Sequence, residues 1–207
     1  YPLAPYGENA FDDYIRTIRF DNAFFINGDL GNNKYLYFQA AYNNYKQIRS
    51  TYYKDLTTLD QVLSTNSGDQ DTTRDKLLSS RATISTKNAE SKINGELGYD
   101  INVETAYGSM IKDGYQQMGD YALFSSVEYK PIDKLTIRPG VRYAYNTLYK
   151  APLTPSINIR YNINKRYIFR FSYAYGFRAP SLQELYFYFV EINHDVIGNS
   201  ELKAERS

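Results

Sequence analysis

The chain has 207 residues, with 23 Tyr, 11 Phe, a single His and neither Cys nor Trp. A net charge of +1 argues against a strong polyanion-binding surface, and the lone His without Cys excludes disulfide frameworks and the usual zinc sites. Mean hydropathy is −0.57, and no run reaches the ~18 apolar residues of a membrane helix. Membrane-crossing strands escape that criterion, because their apolar residues alternate with polar ones.

The opening YPLAPYGENA has neither a basic nor an apolar leader segment, and residues 1–12 read as loop. Alternation predicts a strand over 14–27, with Ile18, Phe20, Phe24 and Ile26 on one face. A turn cluster follows at 28–33. The strand over 34–50 sets Leu36, Phe38, Ala40 and Tyr42 against Tyr35, Tyr37, Gln39 and Asn43. Residues 57–73 read as a long polar loop. The pattern over 76–87 is weak, and 88–91 turns the chain. Over 93–107, Ile93, Leu97, Tyr99, Ile101 and Val103 oppose Asn94, Glu96, Asp100, Asn102 and Glu104. After a connection near 108–119, strands are expected over 121–130, 135–149 and 156–163.

The last strand, 166–177, reads RYIFRFSYAYGF, with an aromatic ring at every odd position. Side chains alternate between the faces of a strand, so one face is an aromatic wall. About eight strands result, joined alternately by short turns (28–33, 88–91, 131–134, 164–165) and longer connections (51–73, 108–119, 147–155, 178–207). Short turns on one rim and long loops on the other are the plan of a transmembrane antiparallel β-barrel. A soluble sandwich also alternates, but it buries its apolar faces in a shared core and has strands of about 5–6 residues. The fold class is therefore all-β. The expectation is that residues 1–207 form part of one transmembrane barrel domain in contact with membrane lipid.

Two stretches carry a resemblance. Tyr173-Ala174-Tyr175-Gly176-Phe177-Arg178-Ala179-Pro180-Ser181-Leu182-Gln183-Glu184-Leu185-Tyr186 and Gly198-Asn199-Ser200-Glu201-Leu202-Lys203-Ala204-Glu205-Arg206-Ser207 resemble the TonB-dependent outer-membrane receptors. Tyr129–Tyr143 and Leu153–Tyr161 also look like their barrel. The motifs cover about 119–207; the first half matches only by pattern. The family implies a barrel of about 22 strands, closed by an N-terminal plug through which the TonB complex is engaged. Neither plug nor TonB box is visible, so this chain is expected to be a central slice entering and leaving on the extracellular side. The competing reading is a complete eight-stranded barrel.

The resemblance also implies function: active uptake of a scarce, bulky metal chelate across the Gram-negative outer membrane. In haem-receptor members, a His between an FRAP box and an NPNL box ligates haem iron. Here Phe177, Arg178, Ala179 and Pro180 match the first box, and His194 falls in the interval after the aromatic run Tyr186, Phe187, Tyr188 and Phe189. The second box is partial: Gly198, Asn199 and Leu202 are present, but its Pro and second Asn are not. Haem as transported ligand is the first expectation, cobalamin or a ferric siderophore the next. The alternative for His194 is a solvated loop residue beside Asp195. A surface lipoprotein partner stays open. Arg178 is expected to pin the loop rather than to touch ligand.

Other residues point elsewhere only weakly. Ser181-x-x-Glu184 is a capping-box pattern and predicts a helical turn after Pro180. The inward Arg138, Arg142, Arg160 and Arg170 fit an anion path, a grip on a plug, or simply a wet lumen. Asp60, Asp69 and Asp71 match no defined calcium loop. No nucleophile motif accompanies His194-Asp195, so a lipolytic enzyme is disfavoured. The Tyr residues share faces with Ile and Leu and not with Arg, which argues against nucleic acid. A passive porin or small structural barrel is the runner-up.

Overall fold

A computed structural model of the chain describes residues 9–66, 68–191 and 194–207. One antiparallel sheet dominates it. Its strands are β1 (Asn9–Gly31), β2 (Lys34–Asp55), β3 (Gln61–Leu63), β4 (Gln70–Thr86), β5 (Ile93–Tyr107), β6 (Tyr115–Ile132), β7 (Leu135–Asn146), β8 (Thr154–Asn162) and β9 (Ile168–Ala174). The order is β1-β2-β4-β5-β6-β7-β8-β9, with β3 laid along the far end of β2. Beyond it come β10 (Phe177–Arg178), α1 (Leu182–Tyr186), β11 (Tyr188–Glu191), β12 (His194–Ile197) and β13 (Glu205–Arg206).

Every strand of the large sheet pairs with its neighbour along the chain, the short β3 apart, so the ladder is a meander with no crossover. The register keeps like faces together. Phe24 lies across from Ala40, Ala40 from Ser80, Ser80 from Ile101, Ile101 from Tyr121 and Tyr121 from Tyr145. This apolar face is bare. Leu97, Leu123 and Tyr143 are 61%, 61% and 62% exposed, although each sits mid-strand. No second protein layer covers it among the described residues, whereas a sandwich buries its apolar faces in a shared core.

The opposite face is polar and internally paired. Arg142 reaches Asp100 at 3.2 Å and Asp120 at 3.4 Å, Arg81 reaches Asp100 at 3.8 Å, and Arg138 reaches Glu96 at 3.2 Å. The Arg81 guanidinium also lies 4.8 Å above the ring of Phe124. That ring lies close over Gly98, which has no side chain to displace it. A Cβ there would come within 2.5 Å of both the ring and the Ala82 carbonyl oxygen.

Several strands outrun the alternation. β1 begins at Asn9 where a loop to residue 12 was expected. β4 begins at Gln70, inside the expected polar loop, and β6 begins at Tyr115 rather than 121. Above the apolar band both faces meet water, so the period-2 signal fades while the hydrogen-bond ladder continues. The first turn is also tighter than the cluster at 28–33 suggests. The chain reverses at Asn32 and Asn33, with φ of 51° and 58°, the paired left-handed geometry that Asn tolerates in two-residue hairpins. At the other end, β9 stops at Ala174, although the aromatic alternation runs on to Phe177.

The long β1–β2 ribbon stiffens itself at its free end. Phe11 and Tyr53 rings lie 4.8 Å apart, Tyr14 and Tyr52 rings 5.5 Å apart, and Asp13 accepts hydrogen bonds from Arg49 and Thr51. No helix among the described residues is long and apolar enough to cross a membrane, a statement that does not bear on strands.

The apolar face makes a direct prediction. A charge at the middle of a lipid-facing strand costs about 2–4 kcal/mol. In the full-length receptor folded into bilayers, Leu123→Arg should lower the equilibrium unfolding free energy by about that amount. Thr83→Arg, on the polar face of β4, should change it by no more than about 0.5 kcal/mol. Equal losses in a denaturant titration would mean that the two faces do not differ in solvent.

Candidate functional site

After β9 the chain leaves the sheet. Tyr175 N–H still donates to the Pro155 carbonyl at 3.0 Å, but Gly176 instead exchanges hydrogen bonds of 2.8 and 3.2 Å with Ser207. A side chain at Gly176 would require the Ser207 hydroxyl to turn aside. Beside it Phe177 and Arg178 pair with Arg206 and Glu205, which brings the two ends of the 177–207 segment together.

Arg178 holds three parts of that segment. One terminal nitrogen donates to both Glu184 carboxylate oxygens at 2.9 and 3.0 Å, and the other donates to Glu205 at 3.0 Å. Glu184 closes the expected capping box: it accepts from Ser181 N–H at 2.7 Å, and Ser181 Oγ accepts from Glu184 N–H at 3.2 Å. The Ser181 amide, then the Arg178 guanidinium, hold the Glu184 carboxyl down from 4.5 to about 2.

Gly198 and Asn199 dock on the helix that this cap begins. Gly198 N–H donates to Phe187 O at 2.7 Å and Asn199 N–H to Glu184 O at 2.9 Å. A Cβ on Gly198 would stand 2.8 Å from the Leu185 carbonyl carbon, so the backbones meet only because it is glycine. Leu202 is anchored by its carbonyl, which accepts from Tyr149 Oη at 2.8 Å. Pro180, next to the cap, is buried.

The helix packs on the polar face of β5 and β6. Leu182 and Leu185 are fully buried, and Ala106, Ile111 and Leu182 form a small core flanked by Met118, Tyr186 and Phe187. Phe187 bridges to Ile111, and Tyr188 N–H donates to Met110 O at 2.7 Å. Two external connections are thus stitched into one mouth. Between them lies a cleft of about 460 Å³ lined by Lys112, Asp113, Tyr186, Phe187, Tyr188 and Ile197, among others.

The aromatic run does not act as one surface. Tyr186 and Phe187 are half-buried in the small core, Phe187 and Phe189 stack at 6.2 Å, and Tyr188 is exposed. His194 stands opposite Glu191 in the β11–β12 hairpin, and its side chain lies outside the described residues. Residues that the sequence reading missed, Met110 and Ile111, complete the mouth. Their signal was an apolar pair inside an otherwise polar connection.

Among the inward arginines, Arg138 and Arg142 are consumed by carboxylates. Among the described residues Arg160 bonds only Asn162, at 3.1 Å, and it faces Arg170 across the ladder. The acidic trio does not assemble. Asp69 bonds Ser64, Asp71 bonds Ser109 at 2.6 Å, Asp60 does neither, and no metal-holding group of carboxylates occurs among the described residues.

The family model described as TonB dependent receptor-like, beta-barrel, matches residues 2–207. The chain belongs to the TonB-dependent receptor β-barrel family. The match includes the first half, beyond the 119–207 covered by the motifs. Among solved structures, the siderophore receptor PirA from Pseudomonas aeruginosa aligns with a TM-score of 0.56 at 15% identity, over 99% of this chain and 45% of that one. At that identity the likeness speaks for the fold. No curated protein sequence matches. The chain spans about 45% of the length of the receptor it aligns with. Family membership places it in the wall of an outer-membrane receptor rather than in an enzyme.

The Glu184 cap has a pH signature. Its folded pKa lies below its ordinary value, so the stabilisation is complete above pH about 4.5 and is lost as pH falls through about 2. Hydrogen exchange over 178–207 should therefore stay slow at pH 5 and accelerate toward pH 2, after correction for the intrinsic rate (an approximate window). Glu184→Gln should exchange faster already at neutral pH and lose that acid-side step.

Proposed function

We propose that this chain forms wall and outer mouth of an energy-coupled transporter that takes up a bulky ferric chelate across the outer membrane. The observation that carries this reading is the mouth itself: a folded external segment, pinned at both ends by Arg178, covering part of a polar-lined barrel wall. A passive pore has no need of a cleft walled by aromatic and charged groups at its entrance. Ligand sites combine such apolar walls with a few placed polar groups. No covalent chemistry is assigned to the chain; energy would arrive through TonB and a plug, and the cargo is a metal chelate.

A ferric siderophore is the cargo favoured here. Tyr186 and Phe187 are partly buried against the small core, so only part of each ring is left to face a flat porphyrin. The cleft offers Lys112 and Asp113 beside Tyr188 and Ile197, a mixture suited to a polar chelate. The likeness to a siderophore receptor agrees with this choice. Haem is the second reading, supported by the backbone position of His194 at the tip of the β11–β12 hairpin.

Uptake of iron-55 separates the readings. Cells carrying the full receptor should accumulate iron from a ferric siderophore in a TonB-dependent manner, and His194→Ala should leave that uptake within about twofold, the range of a surface substitution without lost contacts. A Soret shift on adding haem to the purified receptor, abolished by His194→Ala, would instead assign haem. Uptake that persists without TonB would make the barrel a passive pore.

A further inference from the structure

We infer that the lipid-facing surface just above the apolar band carries a binding site for the phosphate headgroup of a net-anionic membrane lipid in the outer leaflet. It rests on the chain crossing a bilayer, and not on which nutrient passes. Four basic residues converge there. In the ladder Ile18 lies opposite Lys46, and Lys46 opposite Arg74; one row nearer the membrane Phe20 lies opposite Asn44, and Asn44 opposite Lys76. Arg16 stands one row above, opposite Ile48. Alternation puts all four cations on the face that carries Phe24, Phe38 and Leu78.

The acids of the same stretch point the other way. Asp13, Asp21, Asp71, Asp75 and Glu104 all occupy the alternate positions, on the polar face. The nearest outward carboxylate, Asp12, is already taken by Lys54 at 3.2 Å and Gln61 at 2.8 Å. Arg16, Lys46, Arg74 and Lys76 form no hydrogen bond or ion pair with any described residue. One donor is left over here: Arg74 Nε is shielded from solvent with no partner among the described residues, while the unpartnered Asn44 Oδ1 beside it is an acceptor and does not call for an anion. Buried polar atoms are normally paired, so the exceptions mark this patch as unfinished by protein alone.

The height fits a headgroup. The next rows toward the membrane are apolar, with Tyr42, Leu78 and Val103, whereas exposed Tyr107 and Tyr115 flank Arg74 in its own row. Tyr belongs at the lipid–water boundary, and Lys and Arg stems reach up from the apolar edge to present their charge there. Phosphate oxygens would accept from the Arg and Lys donors, and each basic residue beside an anionic surface adds roughly a fivefold preference. Acyl chains would lie along the apolar face below, which separates a lipid from free phosphate.

The full-length receptor in phosphatidylcholine nanodiscs with a minority of phosphatidylglycerol tests this, read as the motionally restricted fraction of each spin-labelled lipid. The wild type should restrict phosphatidylglycerol several-fold more than phosphatidylcholine, and molar salt should erase the difference. The triple variant K46Q/R74Q/K76Q should bring the ratio to about one, R74Q alone should lower it part of the way, and Lys134→Gln at the opposite rim should leave it unchanged. Salt erasure in the wild type and R74Q each stand without the triple variant, should that fail to insert. Equal restriction of both lipids by the wild type, an unchanged ratio in the folded variants, or displacement by millimolar inorganic phosphate would overturn the proposal.

Discussion

A wall that crosses hydrocarbon has to satisfy its backbone within itself, because no water is there to accept or donate. The eight-strand meander does this by pairing each strand with the next, and the requirement then dictates the rest. Once the ladder is fixed, alternate side chains must face opposite solvents. The magnitudes say which face governs. A misplaced charge on the lipid side costs about 2–4 kcal/mol, whereas each partly exposed ion pair on the other side contributes about 0–1 kcal/mol. The apolar side therefore sets the register, and the Arg81–Asp100–Arg142–Asp120 chain follows from it.

The external mouth obeys a different logic. Among the described residues its buried core is small, built from Ala106, Ile111 and Leu182, too little to order a segment of some thirty residues by burial alone. Directional bonds supply the remainder: the cap on α1, the Arg178 fork, the Gly198 contact and the Gly176–Ser207 exchange. Arg178 lies in the first sequence box and Gly198 in the second, while their partners and the other bonds flank the boxes. The boxes thus make sense as one closure, with Arg178 spanning from the first box to the residues beyond the second.

Sequence alone was informative where water lies on one side only. Leu36–Tyr42, Ile93–Val103 and Leu135–Tyr145 alternate because one face meets lipid, and their strands stand where the alternation put them. Above the band the rule has nothing to act on, so Asn9–Asp13, Gln70–Asp75 and Tyr115–Asp120 looked like loop and are ladder. The aromatic period misled at the other extreme: Phe177 keeps the beat after Gly176 has turned the chain away. The cap at Ser181 was readable because it is local. The docking of Ile111 against Phe187 was not, since nothing in either segment names its distant partner. His194, singled out by its place between the boxes, has a backbone position but no described side chain.

The β1–β2 ribbon has a mechanical consequence. Its 23 and 22 residues, at ~3.3 Å each and tilted by ~45°, climb about 50 Å, roughly twice the height of the apolar band. Half of the ribbon therefore stands as a fin in the surrounding medium. Two strands alone would barely hold their shape there, but β4 stays paired with β2 as far as Ser50 and β3 continues the pairing on Tyr52–Lys54. Anything of macromolecular size that approaches the cell surface meets this fin before it meets the entrance. A fall in its rigidity would change who gets to touch the receptor without altering what passes through it.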